Sequence, residues 1–144
     1  MKNMVILIDT NVLLNYLTNR QDEYLEQSIK IVEMCARGIC VGYIAFHTIS
    51  TLWYVLRKRS DKERRQNLRD ICEIFSVASV PKNEIIDAIN RDFFRDFEDC
   101  LQDKCAKKIG ADYIITCNTK DFENSEVHAM NPKEFMDKIV GGTI

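Results

Sequence analysis

The sequence has no apolar run long enough to cross a membrane, and its first residues do not form a secretory signal. A membrane-spanning helix needs about 20 consecutive apolar residues. A cleavable signal needs an uninterrupted apolar core and a cleavage site, whereas the first apolar run here ends in the acid Asp9. We therefore expect a cytoplasmic protein with no membrane partner.

The six cysteines form no C-x-x-C pair, and no histidine lies near them at zinc-ligand spacing. Most of them lie in apolar segments, which is typical of reduced core thiols in a cytosolic protein. A charge excess of one sign is also lacking, since the net charge is −2. The chain has no overall attraction to nucleic acid, so any such contact must be local.

What is present is the composition of an ordinary globular domain, with 46% hydrophobic and 29% charged residues over 144 positions. This length is sufficient for a proper hydrophobic core. The sequence contains no repeats, low-complexity tracts or linkers. We expect residues 1–144 to form a single domain.

Short apolar runs alternate with segments of helical periodicity along the chain. Strands are predicted at residues 5–8, 39–44, 77–80, 112–116 and 127–130. Strands that alternate with helices imply a parallel sheet with helices on both faces. The predicted fold is a three-layer α/β/α domain around a central parallel sheet.

Polar side chains follow two of these strands directly. Asp9 comes after the first strand, and Asn118 and Asp121 come after the fourth. The carboxyl ends of parallel strands meet at one edge of the sheet, where ligands bind in open α/β folds. The alternative for Asp9 or Thr10 is a simple helix cap, because both residue types are good N-caps.

A third acidic group, Asp96, Glu98 and Asp99, lies at a predicted helix start. Its functional interpretation is a contribution to the same edge of the sheet. Its structural interpretation is a capping pair favoured by the helix dipole, or one solvated helix face. Carboxylates that do gather at one point repel each other unless a cation neutralises them. Oxygen-only ligands suit Mg²⁺ or Mn²⁺, and such sites typically activate water for phosphodiester cleavage.

Four segments together resemble PIN-domain nucleases, particularly the VapC-like toxins. Residues 8–12 (I-D-T-N-V) resemble the first motif, and residues 96–99 (D-F-E-D), with Ala106 downstream, resemble the third-acid segment. Residues 111–122 (A-D-Y-I-I-T-C-N-T-K-D-F) resemble the last motif, and residues 131–135 (N-P-K-E-F) the terminal proline and helix. Several motifs in the right order and context are fairly specific.

The resemblance implies a PIN fold with strand order 3-2-1-4-5 and a Mg²⁺- or Mn²⁺-dependent endoribonuclease, the toxin of a toxin–antitoxin pair. It also implies RNA as substrate, a protein antitoxin as a partner, and a homodimer. The implied catalytic acids are Asp9, Asp99 and Asp121, and the implied metal ligands are these three with Asn118. Secondary candidates are Asn11, Asp96, Glu98 and Thr51.

The chain departs from the family pattern at Thr51, which aligns with the family's second acid. A site with less negative charge should hold Mg²⁺ more weakly. The alternative function is therefore a catalytically weakened PIN domain that binds RNA or a protein.

A basic stretch lies between residues 57 and 69. It is predicted to be either a phosphate-backbone track for RNA or a solvated helix surface with pairs such as Asp61–Arg65. The residues assigned to RNA binding are Arg57, Lys58, Arg59, Arg64 and Arg65.

Overall fold

The computed structural model describes residues 3–94 and 96–142, and within these ranges the chain forms five strands and seven α-helices. The strands are β1 (Val5–Ile8), β2 (Val41–Ala45), β3 (Ser76–Ala78), β4 (Tyr113–Ile115) and β5 (Ala129–Met130). The helices are α1 (Thr10–Thr18), α2 (Leu25–Ala36), α3 (Thr48–Val55), α4 (Asp61–Ile74), α5 (Lys82–Asn90), α6 (Phe97–Lys108) and α7 (Pro132–Gly142). A short 3-10 helix, Thr119–Phe122, follows β4.

The strands form one parallel sheet in the order β3-β2-β1-β4-β5, which confirms the predicted fold and strand order. The central strand, β1, pairs with β2 and β4. Ile8 lies opposite Ile115 in the β1–β4 register. The residues that follow these two strands, Asp9 and Thr116, therefore leave the sheet side by side.

Side chains of β1 alternate between two hydrophobic cores, as the period of a strand requires. Ile6 and Ile8 pack in a core with apolar residues of α1, α2, α3, α4 and α7. Leu7 points to the other face and packs with residues of α5 and α6. The central strand is fully covered on both faces, which explains its uninterrupted apolar sequence.

Strand boundaries differ from the predicted ones by at most two residues. The backbone N–H of Ile39 donates to the carbonyl of Met34 (2.9 Å). Ile39 therefore lies in the turn that closes α2 and not in β2. The N–H of Val127 donates to the hydroxyl of Ser125 (3.1 Å), outside the β4–β5 ladder. Both residues are apolar, but ladder hydrogen bonds rather than hydrophobicity define a strand.

The six cysteines are all free thiols, and four of them are buried. None of the helices in the described part of the chain is long and apolar enough to span a membrane.

Candidate functional site

A cavity of about 260 Å³ opens beside the end of β1. Asp9 lies in its wall, with its backbone N–H bonded to the carbonyl of Ile115 in β4 (2.9 Å). The other acidic residues of the wall come from the start of α6 and from the 3-10 helix. They are Asp96, Glu98, Asp99 and Asp121. The fold thus gathers acids from three separate segments of sequence into one cavity.

Asp9 is only 8% exposed, and its side chain accepts hydrogen bonds from three donors. Oδ1 accepts from the backbone N–H of Thr10 (2.7 Å) and from Nε2 of Gln102 (2.6 Å). Oδ2 accepts from the hydroxyl of Thr116 (2.8 Å). Burial raises the pKa of Asp9, whereas these three hydrogen bonds lower it. Asp9 is both the N-cap of α1 and part of the cavity wall, so the two roles considered from the sequence coexist.

At the start of α6, two of the clustered acids, Asp96 and Asp99, make different contacts. Asp96 is the N-cap, and its carboxylate accepts a hydrogen bond from the N–H of Asp99 (3.1 Å). Asp99 has its own side chain half-buried in the cavity wall. Burial, and then the nearby charges of Asp9 and Asp96, raise the pKa of Asp99 to about 8. Such a shift indicates that the ionised carboxylate has insufficient positive charge near it.

The structure separates the two candidates that follow β4. Asp121 lies in the 3-10 helix and lines the cavity. The side chain of Asn118 is exposed and does not line the cavity in the described structure, although its backbone N–H donates to the hydroxyl of Thr116 (3.1 Å). Asn118 thus supports the residue that holds Asp9, and its role as a metal ligand stays a prediction.

Thr51 lines the cavity from α3, so the position aligned with the family's second acid does lie at the site. One turn earlier, the hydroxyl of Thr48 contacts that of Thr10 (3.3 Å) and joins the starts of α3 and α1. Asn11, exposed in the same wall, accepts a hydrogen bond from Arg20 (3.1 Å). This side of the cavity is lined by neutral residues.

Two residues that hold Asp9, Gln102 and Thr116, were not singled out from the sequence. The sequence did contain an indication for Gln102, which stands three residues after Asp99. Residues at this spacing share one face of a helix. The signal for Thr116 was its place directly after β4, as Asp9 follows β1. A search for charged residues overlooks neutral hydrogen-bond donors of this kind.

The five residues predicted to bind RNA lie around the α3–α4 connection, and four of them already have partners within the protein. Arg59 donates to the backbone carbonyl of Leu17 in α1 (2.7 Å). The guanidinium of Arg64 lies 3.7 Å from the ring centroid of Trp53. Arg65 forms an ion pair with Asp61 one turn earlier on α4 (2.9 Å). This pair is the one expected if the basic stretch is a solvated helix surface. The guanidinium of Arg57 donates to the carbonyl of Tyr54 (3.2 Å) and lies 4.4 Å from the centroid of its ring, and both Arg57 and Lys58 are exposed. RNA binding by all five stays a prediction.

The oxygen donors of the cavity fit a hard divalent cation. Mg²⁺ and Mn²⁺ prefer carboxylate, amide and water oxygens, and Asp9, Asp99 and Asp121 supply carboxylates. Oε1 of Gln102, in the same wall, is buried with no hydrogen-bond partner. Across residues 3–94 and 96–142, no three His, Cys, Asp or Glu side chains are grouped closely enough to hold a cation as they stand. Mg²⁺ usually keeps several waters and takes only one or two carboxylates, so the donors suit a partly hydrated ion.

The parallel sheet and the acidic cavity beside its central strand define a class of α/β protein with a site suited to a divalent cation. A family model described as the PIN domain matches residues 5–120. The chain belongs to the PIN domain family, as the four sequence motifs indicated.

Relatives and solved structures agree with this assignment. Ribonuclease VapC1 of Aquifex aeolicus (strain VF5) is 26% identical over 144 residues, covering 96% of this chain and 97% of that protein. Two solved structures have a similar fold at low sequence identity. VapBC2 from Rickettsia felis, bound to a DNA fragment from its promoter, matches with a TM-score of 0.65 and 15% identity over 89% of this chain and 98% of that chain. PAE2754 from Pyrobaculum aerophilum matches with a TM-score of 0.60 and 18% identity over 97% of this chain and 99% of that chain.

Proposed function

We propose that this chain is a Mg²⁺- or Mn²⁺-dependent endoribonuclease and the toxin of a toxin–antitoxin pair. The observation that carries the proposal is the convergence of Asp9, Asp99 and Asp121 on one cavity. The names of the relatives add support, because one is a ribonuclease and others are structures of VapBC proteins.

In this proposal Asp9, Asp99 and Asp121 would hold the cation, directly or through the waters that it keeps. When bound, a divalent cation supplies a nucleophilic hydroxide and neutralises charge on the phosphate. Asp9 is pre-oriented for this role by its three hydrogen-bond donors. Asp99, with a pKa of about 8 in the cation-free protein, would release its proton when positive charge arrives beside it.

Exposed basic residues beside the cavity would guide the RNA backbone. Arg57 and Lys58 follow α3 and are exposed, and α3 also contributes Thr51 and Val55 to the cavity wall. Contacts from such residues to phosphates are independent of RNA sequence and weaken with salt. We propose that these two residues bind RNA, with Arg59, Arg64 and Arg65 shaping the same surface.

The second candidate function is a weakened PIN domain that binds RNA or a protein without cutting RNA. The observation that favours it is the uncharged Thr51 at a cavity position that aligns with an acid in the family. One missing carboxylate would lower cation affinity while leaving the exposed basic residues in place.

The test compares the wild type with Asp9→Asn, and Asp70→Asn serves as the matched control. Asp70 lies on α4, does not line the cavity and accepts a hydrogen bond from Gln66 that asparagine can also accept. Cleavage of an unstructured RNA and the thermal melting temperature are measured with and without Mn²⁺. We expect Asp9→Asn to abolish cleavage and to keep or raise the melting temperature, since it removes a buried charge. Asp70→Asn should behave as the wild type.

Two outcomes contradict the enzyme. If the wild type neither cuts RNA nor gains stability from Mn²⁺ at about millimolar concentration, the binding-module function takes its place. If Asp9→Asn melts at a lower temperature than the wild type, and Mn²⁺ changes the melting temperature of neither protein, Asp9 is a structural cap only.

We further propose a protein antitoxin and a second copy of the chain as partners, within a single domain spanning residues 1–144. Several solved structures of similar fold are VapBC proteins, and exposed large apolar side chains such as Tyr54, Ile89 and Phe93 offer contact surface. Static light scattering should show a dimer at about tens of micromolar, where specific dimers usually persist. A monomer at that concentration would contradict the homodimer.

A further inference from the structure

The two carboxylate oxygens of Asp9 accept different numbers of hydrogen bonds, two at Oδ1 and one at Oδ2. Oδ1 accepts from Nε2 of Gln102 (2.6 Å) and from the N–H of Thr10 (2.7 Å), and a carboxylate oxygen has about two acceptor sites. Among the described residues, the hydroxyl of Thr116 is the one donor to Oδ2. We propose that Gln102 is a positioning residue that orients Asp9 and leaves Oδ2 available to a divalent cation. The cation belongs to the proposed function, whereas the orientation of Asp9 can be tested without it.

Packing alone does not explain a glutamine at this position. Gln102 is 3% exposed on α6, between residues of the hydrophobic core, and its Oε1 has no partner. Leaving a buried polar atom unpaired lowers the stability of the folded protein. Methionine has a similar shape and would avoid that cost. The hydrogen bond to Asp9 is the feature that only a long amide supplies here.

The unpaired Oε1 of Gln102 can serve as an acceptor at the wall of the cavity. Gln102 lines the cavity, and a water held there would find in Oε1 an acceptor beside the carboxylates. Buried waters commonly satisfy polar atoms that have no protein partner. Gln102 would thus fix Asp9 with its amino group and a cavity water with its carbonyl group.

The experiment replaces Gln102 with methionine and compares it with Asp103→Asn. Asp103 is the next residue of α6 and is fully buried, but its carboxylate accepts from Ser125 and does not line the cavity. The cation-free crystal structure, the Mn²⁺ affinity by calorimetry and the melting temperature are measured for each variant. Gln102→Asn, whose amide is too short to reach Asp9, replaces Gln102→Met if that protein does not fold.

For Gln102→Met we expect a changed side-chain rotamer of Asp9 and Mn²⁺ binding weakened by roughly 10–100-fold, the usual effect of losing a residue that orients a ligand. Its melting temperature should change little, because removing an unpaired buried oxygen offsets the loss of one hydrogen bond to the buried carboxylate of Asp9. Asp103→Asn should lower the melting temperature and keep the Mn²⁺ affinity of the wild type.

An unchanged Asp9 rotamer together with wild-type Mn²⁺ affinity in Gln102→Met would overturn the positioning role. A wild type that binds no Mn²⁺ would instead overturn the proposed function. In that case the rotamer of Asp9 in the cation-free variant still decides whether Gln102 positions it.

Discussion

The hydroxyl of Thr116 donates a 2.8 Å hydrogen bond to Oδ2 of Asp9, although 107 positions of sequence separate the two residues. They meet because β1 and β4 are neighbours in the sheet, with Ile8 opposite Ile115. The same register lets the N–H of Asp9 bond to the carbonyl of Ile115. The geometry of the acidic cavity therefore depends on strand pairing, and a one-residue slip would turn these side chains to the other face.

Thr51→Glu should tighten Mn²⁺ binding by on the order of tenfold, because cation affinity rises with the number of charged ligands. Thr51 already lines the cavity, so the new carboxylate should join the acids there. Without cation, the added repulsion should lower the melting temperature. Calorimetric titration with Mn²⁺ measures the affinity.

Ser50→Glu is the control for this substitution. Ser50 is the preceding residue of α3, exposed and not part of the cavity wall, so it adds the same charge at a distance. Equal tightening in both variants would mean a long-range charge effect, and no tightening in Thr51→Glu would contradict the alignment of Thr51 with the missing acid.

The stability of the cation-free protein should fall between about pH 7 and pH 8.5. The pKa of Asp99 is raised from 3.8 to about 8 in the folded protein, so the folded state keeps a proton that the unfolded chain has lost. Its contribution to stability is complete below pH 3.8, is lost progressively as the pH rises from there to about 8, and changes little at higher pH. Burial raises the pKa of Asp9 and acts in the same direction. Denaturant melts at several pH values measure the fall.

Asp99→Asn should reduce this dependence, and saturating Mn²⁺ should reverse it, since ionisation then favours binding. Burial lowers the pKa of His47 below its ordinary 6.5, so His47 is mostly neutral in both states over this range and contributes little. A slope that is the same in Asp99→Asn and in the wild type would contradict the assignment to Asp99.

Arg59→Lys should lower the free energy of unfolding by about 1 kcal/mol, because two part-buried acceptors lose their donor. The guanidinium of Arg59 bridges the carbonyl of Leu17 (2.7 Å) and the side chain of Asn67 (2.9 Å). An ammonium group cannot reproduce that fork. Urea denaturation measures the change. Arg65→Lys, in an exposed pair on α4, is the charge-matched control and should change stability little; equal losses would contradict a structural role specific to Arg59.

Gly42→Ala should destabilise the protein by about 1–3 kcal/mol through overpacking. A Cβ at Gly42 would lie 2.7 Å from the ring of Phe75 and 2.8 Å from Sγ of Cys35, both in the core. Gly141→Ala is the control, since Gly141 is an exposed residue of α7 with nothing within 4 Å of a new Cβ. That change should stabilise the helix by about 0.5–1 kcal/mol. Equal melting temperatures in the two variants would contradict the close packing at Gly42.

The pattern of apolar and polar residues was enough to predict the order of strands and helices, since the strands read as short apolar runs and the central strand, β1, is buried almost throughout. It also placed Asp9 and Asp121 after strands and indicated that they would share an edge. The four motifs then supplied the strand order 3-2-1-4-5, which the sheet confirms.

Other features depended on the tertiary structure. The sequence left capping and cavity roles as alternatives, and the structure makes Asp96 the helix cap while Asp96 and Asp99 both line the cavity. It also pairs Arg59 and Arg65 with protein groups, where the sequence showed only a run of like charges.

The sequence by itself determined which segments are buried and where the acids stand, because hydrophobic periodicity and chain order are local properties. Only the tertiary structure decided which neutral groups hold those acids. Gln102 reaches Asp9 from a helix 93 positions away, and Thr116 reaches it from the position directly after a neighbouring strand. Hydrogen-bond partners are chosen by distances of about 3 Å in space, and a pattern read along one chain contains no such distances.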